Sequence, residues 1–452
     1  MFDLEAQIQA WSDLLRARGN LTESDIRELE NHLQDEIDDL IAAGLAPDEA
    51  FLISVKRVGN VAAISHEYSK VNTDNLWKQL LLDPSGPSTT SQNRRDIGWV
   101  IVFTLAAGTL AKIPELFGLK LDDPAAESFY FKNLSLFILP FIAAFFLIKR
   151  KVGGQAAAIV LGIFALAALL INFYPSFAPQ SNTEVLSGLH LPLFLWLVVG
   201  LAYMGLGWRS SRERMNFIRF TGEAFIYSVL IVCGVIVFSM FTVLIFTAIQ
   251  IDISPFVRDY LVVYGACAVA LVTVYIVEAK KSMVENFAPI LAKIFSPLFL
   301  ATMCIFLAVM IITGKSPFIE RDFLITADIM LALVLGLVLY VISARNVHEK
   351  INLFDYINLA LIAVALIIDA VALSAIIFRL STFGITPNKL AALGENLVLL
   401  GNLGGLVWLY IGYFRKKHDF LSLEIWQTSY LNVYFVWTAI VAFLFPIMFG
   451  FR

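Results

Sequence analysis

The residues of this chain best placed to do chemistry are carboxylates set inside long apolar runs. Asp328, Asp369 and Glu395 each interrupt a stretch of about twenty apolar residues, as do His190 and Lys112. Ionisable groups at hydrocarbon depth are costly to hold and usually face a helix-bundle interior, which makes each a candidate site. Spacing singles out two neighbouring segments. Asp355, Asn358 and Asp369 are separated by three and eleven residues, so at about 100° per residue they fall within roughly 60° of one another. Glu395 and Asn402 are seven apart and share a face of the next segment. Two consecutive helices thus carry an acidic stripe each, a pattern suited to relaying protons or cations, with Asp369 and Glu395 as the leading pair. The alternative is structural, with each acid tied to a basic, amide or backbone neighbour and only fixing helix packing. His190 and Lys112 stand close enough to one interface to snorkel into water.

Other chemistries lack their residues. Cys233, Cys267 and Cys304 all lie in apolar segments, with neither metal-ligand spacing nor a disulfide framework. There is no glycine-rich phosphate loop ending in Lys-Ser/Thr, no HExxH, no GxSxG and no paired CxxC. No catalytic residue, metal or cofactor is assigned, and an enzyme is not expected. The one enzymatic reading left is intramembrane aspartyl chemistry with Asp328 facing Asp369.

The elements that must position these groups are membrane helices. The chain of 452 residues is 59% hydrophobic and 15% charged, with a mean hydropathy of +0.76. From Ile97 onward, eleven apolar stretches follow one another: 97–117, 133–148, 154–173, 187–208, 221–250, 256–278, 287–313, 323–343, 353–378, 390–414 and 429–450. Each is of the order needed to cross ~30 Å of hydrocarbon. The expected fold is therefore all-α, a polytopic membrane protein of about 11 transmembrane helices behind a small N-terminal helical bundle.

Charge orients the expected topology. Placing the N-terminus in the cytoplasm puts sixteen Lys and Arg residues on the inner side and eight on the outer side, as the positive-inside rule requires. Eleven spans then leave the C-terminus outside. No internal repeat marks an inverted-repeat transporter.

The first seventy residues differ in kind. Residues 1–70 hold fourteen acids and six bases, a balance of −8 within a chain of net −4, so the remainder is mildly basic. Phosphate binding needs clustered Lys and Arg, so no nucleic-acid partner is expected. There is no secretory signal pattern; the first span is expected to act as the insertion signal. Apolar periodicity predicts helices over 3–18, 22–43, 47–58 and 61–68, broken at Gly19-Asn20, Gly44 and Gly59-Asn60. Residues 71–96 read as a linker, with a short interfacial helix over 75–82 anchored by Trp77, then a flexible Pro-Ser-Thr run over 84–91.

Two resemblances add to this reading. Leu29-Glu30-Asn31-His32-Leu33-Gln34-Asp35-Glu36-Ile37, Leu40, Gly44, Pro47-Asp48-Glu49-Ala50 and Val58-Gly59-Asn60 resemble the bacterial permease prefix domain, also described as a HAAS-type signalling domain. That likeness covers about residues 20–70 and implies a cytoplasmic signalling module ahead of a permease-like body in the bacterial inner membrane. The loop Phe378-Arg379-Leu380-Ser381-Thr382-Phe383-Gly384-Ile385-Thr386-Pro387-Asn388-Lys389-Leu390 resembles that of an uncharacterised polytopic family, a domain of unknown function numbered four-one-five-three. Phe383 and Lys389 stand where that family usually shows Tyr and Arg, and the family implies no activity. Physically, Thr386 and Pro387 suit the N-cap and first turn of a helix. Arg379 and Lys389 break the charge rule, which suggests acidic partners such as Asp369 or Glu395. Around Asn402, Gly394, Gly401, Gly404 and Gly405 fit either a broken helix lining a cavity or close packing through small residues.

Three functional readings follow. The first is a permease-like protein passing an ion or small polar solute, regulated by its prefix domain. The second is a membrane sensor or assembly component that transports nothing. The third is the intramembrane enzyme. Membrane lipids, a cytosolic partner of residues 1–70 and a homo-oligomer are the partners compatible with the pattern.

Overall fold

The computed structural model describes residues 4–17, 23–42, 45–58, 87–121, 123–175, 181–248, 250–279, 287–314, 318, 321–345, 349 and 351–451. The chain divides into two compact units, residues 1–94 and 95–452.

In the first unit, α1 (Leu4–Ala17), α2 (Glu23–Ala42) and α3 (Pro47–Val58) form the head. Their predicted apolar faces meet as one small core, with Ile8, Trp11, Leu33, Ile37, Ala50 and Phe51 buried. Pro47 opens α3 with Asp48 and Glu49 in its first turn, where carboxylates favour the positive end of the helix. The helix expected over 61–68 and the interfacial helix over 75–82 lie outside the described residues. The run over 84–91 is corrected in part: from Pro87 onward it is helical, the start of α4 (Pro87–Lys112). Proline is accommodated at a helix's first position because its missing N–H would have no partner there.

The second unit is a bundle of α-helices. After α4 come α5 (Glu127–Lys149), α6 (Gly154–Phe173), α7 (Asn182–Met204), α8 (Ser211–Ala248), α9 (Val262–Ala279), α10 (Phe287–Thr313), α11 (Arg321–Ala344), α12 (Leu353–Phe383), α13 (Pro387–Phe414) and α14 (Leu421–Ala439). A π turn, Val257–Leu261, leads into α9, and another, Ile440–Leu444, extends α14. Among the described residues, eleven helices are long and apolar enough to cross a membrane, and they coincide with the eleven apolar stretches. The chain is an integral, multi-pass, all-α membrane protein.

Polar contacts show that successive helices alternate in direction. At one end, Lys149 pairs with Asp96 at 2.9 Å and Arg150 with Glu278 at 3.0 Å. Arg219 donates there to the Ser343 carbonyl. At the other end Lys132 pairs with Glu184 at 3.0 Å, and the Tyr174 hydroxyl donates to the Phe443 carbonyl. The first of these carries the basic loops and is called the basic end below.

Two cores hold the bundle. One gathers α4–α9 around Phe146, Leu195, Val198 and Val199, with the Tyr203 and Phe220 rings stacked at 5.0 Å. The other gathers α10–α14 around Leu331, Val334, Leu361, Ala365, Leu403 and Leu406, and takes Met215 and Ile218 from the start of α8. The second half of α8 is largely bare. Ile236, Val237 and Phe238 are 52%, 66% and 67% exposed. Three successive residues sweep most of a helix's circumference, so this segment meets hydrocarbon on nearly every side.

Candidate functional site

The two acidic stripes were predicted from spacing alone, and the α12 stripe does face inward. Asp355, Asn358 and Asp369 are all buried, on the same side of α12 as Leu361, Ile362, Ala365 and Ile368. From there their environments diverge.

Asp369 is fully enclosed at 0% exposure. It stands fourteen residues from Phe383 and sixteen from Leu353, the two ends of α12, hence ~21–24 Å from each. Neither carboxylate oxygen has a hydrogen-bond partner among the described residues. Asp328 of α11 acts electrostatically on both Asp369 and Glu395, so the three acids form one cluster between α11, α12 and α13. Asn396 completes it. Its amide donates to the Asp328 carboxylate at 3.0 Å and to the Ala392 carbonyl at 2.8 Å, while its own side-chain oxygen is buried without a partner. Among the described residues, Asp369 and Asn396 therefore present three acceptor oxygens without a donor, and no basic side chain is hydrogen-bonded into the cluster. Among the described residues, no group of three or more His, Cys, Asp and Glu is arranged to hold a metal ion.

The other predicted residues are engaged elsewhere. Asp355 lies at the basic end, 2.7 Å from Arg345. It also completes a capping box with Asn352 at the start of α12. Burial works against the Arg345 cation, but the hydrogen bond and charge of Asp355 outweigh it and raise the guanidinium's pKa further. Asn358 donates to the Tyr410 hydroxyl at 2.7 Å. Asn402 donates to Gln427 at 3.2 Å and to the Tyr434 hydroxyl, and accepts from the Trp426 indole at 2.9 Å. It clamps α13 to α14 and takes no hydrogen bond from the acid cluster.

Several expectations need correction. Among the described residues Lys389 does not pair with an acid: it donates to the Gly384 carbonyl at 2.8 Å and lies over the Phe383 ring. Arg379 makes no ion pair among the described residues, and its Nη1 is buried without a partner. Both stand close to the helix turn, too far along the chain to reach Asp369 at mid-helix. His190 does not snorkel; it is 8% exposed and bonds the Leu186 carbonyl at 2.9 Å. Lys112 pairs with Glu115 at 2.6 Å beneath the Tyr260 ring. The broken-helix alternative also fails, because α13 is continuous from Pro387 to Phe414. Gly394 and Gly405 serve contact instead, seating the Trp437 and Trp426 indoles against its backbone. At Gly384 the backbone does turn left-handed, with φ of 73°, which glycine adopts without steric cost.

Spacing did not reveal Asn396, Arg345, Glu184 or Glu278 as partners. Asn396 adjoins Glu395 in sequence and could have been noticed, but its contact with Asp328 spans sixty-eight residues. Two recesses of the bundle are lined by Lys132, Tyr174 and Glu184 at one end and by Tyr203, Arg219 and Glu223 at the other, and neither reaches Asp369.

Comparison with known proteins finds no matching family profile, curated protein or solved structure, so function is read from the chain's own geometry.

Proposed function

We propose that this integral membrane protein is permease-like and moves an ion or small polar solute, with Asp369 as the group that takes up and releases a proton or small cation. One observation carries the reading: a wholly enclosed carboxylate at mid-helix whose two oxygens have no donor among the described residues. An ionised carboxylate in that position has nothing to offset its desolvation, and a proton or cation supplies what the protein does not. Glu395 and Asp328 are partly exposed while Asp369 is closed, which supports stepwise transfer from Glu395 and Asp328 inward. In this reading the N-terminus is cytoplasmic, since the basic end carries the larger share of Lys and Arg, and residues 1–70 regulate the body.

The test is proton and cation flux in proteoliposomes holding the full-length chain. Asp369→Asn is expected to abolish flux and Glu395→Gln to slow it, with both variants eluting as folded protein. Undiminished flux in the two variants overturns the assignment. A second reading, a sensor that transports nothing, draws support from the closure of Asp369 against both recesses. It is selected if the wild-type chain passes nothing while residues 1–70 bind a cytosolic partner.

A further inference from the structure

The three carboxyls gathered between α11, α12 and α13 keep unequal company. Three, four and seven residues from Asp369 along α12 stand Ala372, Ala365, Ile362 and Ile376, all buried. Positions at that spacing share one helix surface, so the helix surrounds its own carboxyl with alkyl groups. Among the described residues neither Asp369 oxygen has a partner. Of the helices packed on α12, α11 brings Asp328, which acts on Asp369 directly, and α13 brings Glu395, which the same Asp328 influences. From α10, Cys304 is exposed, and Lys293 lies over the ring of Phe354 at the start of α12, fifteen residues and ~22 Å from Asp369. Arg379 and Lys389 stand at the turn between α12 and α13.

Asp328 is served differently. Asn396 is wholly buried, and its Nδ2 donates both to Asp328 Oδ1 at 3.0 Å and to the Ala392 carbonyl at 2.8 Å. Both neighbours are acceptors, so the amide turns its NH2 end toward them. Its Oδ1 is the end left over, buried and without a donor among the described residues. This neutral side chain, reaching into the acids from α13, is a sign independent of their charge. Buried polar atoms are nearly always satisfied, and what this site lacks is a donor.

Two kinds of occupant answer an excess of acceptor oxygens: a metal ion and a proton. Ca²⁺ and Mg²⁺ take about six or more oxygens converging on one point. Among the described residues no three His, Cys, Asp or Glu side chains are so arranged. The Asn396 N–H also occupies the Asp328 oxygen that a metal ion would use. A proton needs neither convergence nor room. Placed on Asp369, it removes charge from the most enclosed carboxyl and turns an acceptor into the missing O–H donor. It relieves the repulsion with Asp328 as well, since neighbouring carboxylates resist ionising together.

We infer that the ion held by this cluster is a proton, which rests on Asp369 as the neutral acid while Asn396 keeps Asp328 as the ionised member. The inference rests on the permease-like reading proposed above and narrows its cation to H⁺. On loading, an O–H bond forms at an Asp369 oxygen as one breaks at Glu395 or Asp328, and that group retakes a proton from water. Unloading reverses both steps. Asn396 carries no proton itself; it is a positioning residue that decides which aspartate holds the charge.

Infrared difference spectroscopy of the full-length chain in liposomes at neutral pH tests it, because neutral carboxyls and carboxylates absorb in separate regions. A neutral-carboxyl component that shifts in D₂O is expected in the wild type, lost in Asp369→Asn and retained in Asp328→Asn and Glu395→Gln. Asn396→Leu removes the donor and is expected to add a second component, which disappears when Asp328→Asn is combined with it. Asn396→Ala takes its place if the leucine variant does not fold. A role in packing alone alters stability and adds no band. NaCl, KCl and CaCl₂ are expected to leave the Asp369 component in place, and a pH gradient, but no Na⁺ or K⁺ gradient, to drive flux. Absence of an Asp369 component overturns the inference, as does its loss on adding any of the three salts or an unchanged spectrum in the folded Asn396 variants. Na⁺ or K⁺ flux that depends on Asp369 overturns it while leaving the permease-like reading intact. An Asp369 component without flux of any ion upholds the bound proton and overturns that reading instead.

Discussion

Two aspartates on one face of α12 meet opposite fates, and the contrast separates a structural acid from a candidate functional one. Asp355 is paired and capped: with Arg345 it forms an ion pair whose side chains are 4% and 7% exposed. Removing one partner strands a buried charge, which costs about 3–5 kcal/mol. Asp355→Asn is therefore expected to lower the thermal midpoint of the detergent-solubilised protein markedly. Asp369 has no hydrogen-bond donor to lose among the described residues, so Asp369→Asn is expected to leave that midpoint unchanged or raise it, while flux is lost. A large fall in stability for Asp369→Asn would indicate a hidden structural partner instead. The shared face of these two residues was legible from their spacing in the sequence. Their environments were not, because Arg345 and Asn396 reach them from other helices and no periodicity within one helix encodes a neighbour.

At the scale of elements, the spans were the most legible feature, since a bilayer imposes nearly one length of apolar sequence on every helix that crosses it. Residue composition misled where polar and small residues allowed two outcomes. The Pro-Ser-Thr run from Pro87 reads as flexible but is helical because it is continuous with α4. The glycines of α13 read first as a packing surface, with a break in the helix as the alternative. Neighbouring positions now discriminate. A methyl group at Gly405 would collide with the Trp426 indole, whereas Gly404 has open space. Gly405→Ala should destabilise by about 1–3 kcal/mol, the range for overpacked sites. Gly404→Ala should be neutral or slightly stabilising, because alanine favours the helix over glycine. Equal thermal midpoints for the two variants would contradict the packing role given to Gly405.

For the whole molecule, the division into residues 1–94 and 95–452 separates a small acidic head with an apolar core from the membrane body. Its three described helices bury only a handful of large side chains in a core of their own. Deleting residues 1–70 is thus expected to leave membrane insertion intact while changing activity or its regulation, as checked by membrane fractionation alongside flux. Failure of the shortened chain to insert would mean that the head is needed to build the body.

The bare second half of α8 carries its own consequence. At 38 residues the helix runs ~57 Å, nearly twice the ~30 Å hydrocarbon thickness, yet only its beginning is gripped by neighbours on several sides. A rod clamped at one end and bathed in acyl chains at the other leans further as the membrane thins. Cys233, exposed where the clamped and bare parts meet, is a natural attachment point for a spin label. Its signal should follow acyl-chain length from one lipid to the next, making this helix the part of the protein that registers which membrane it occupies.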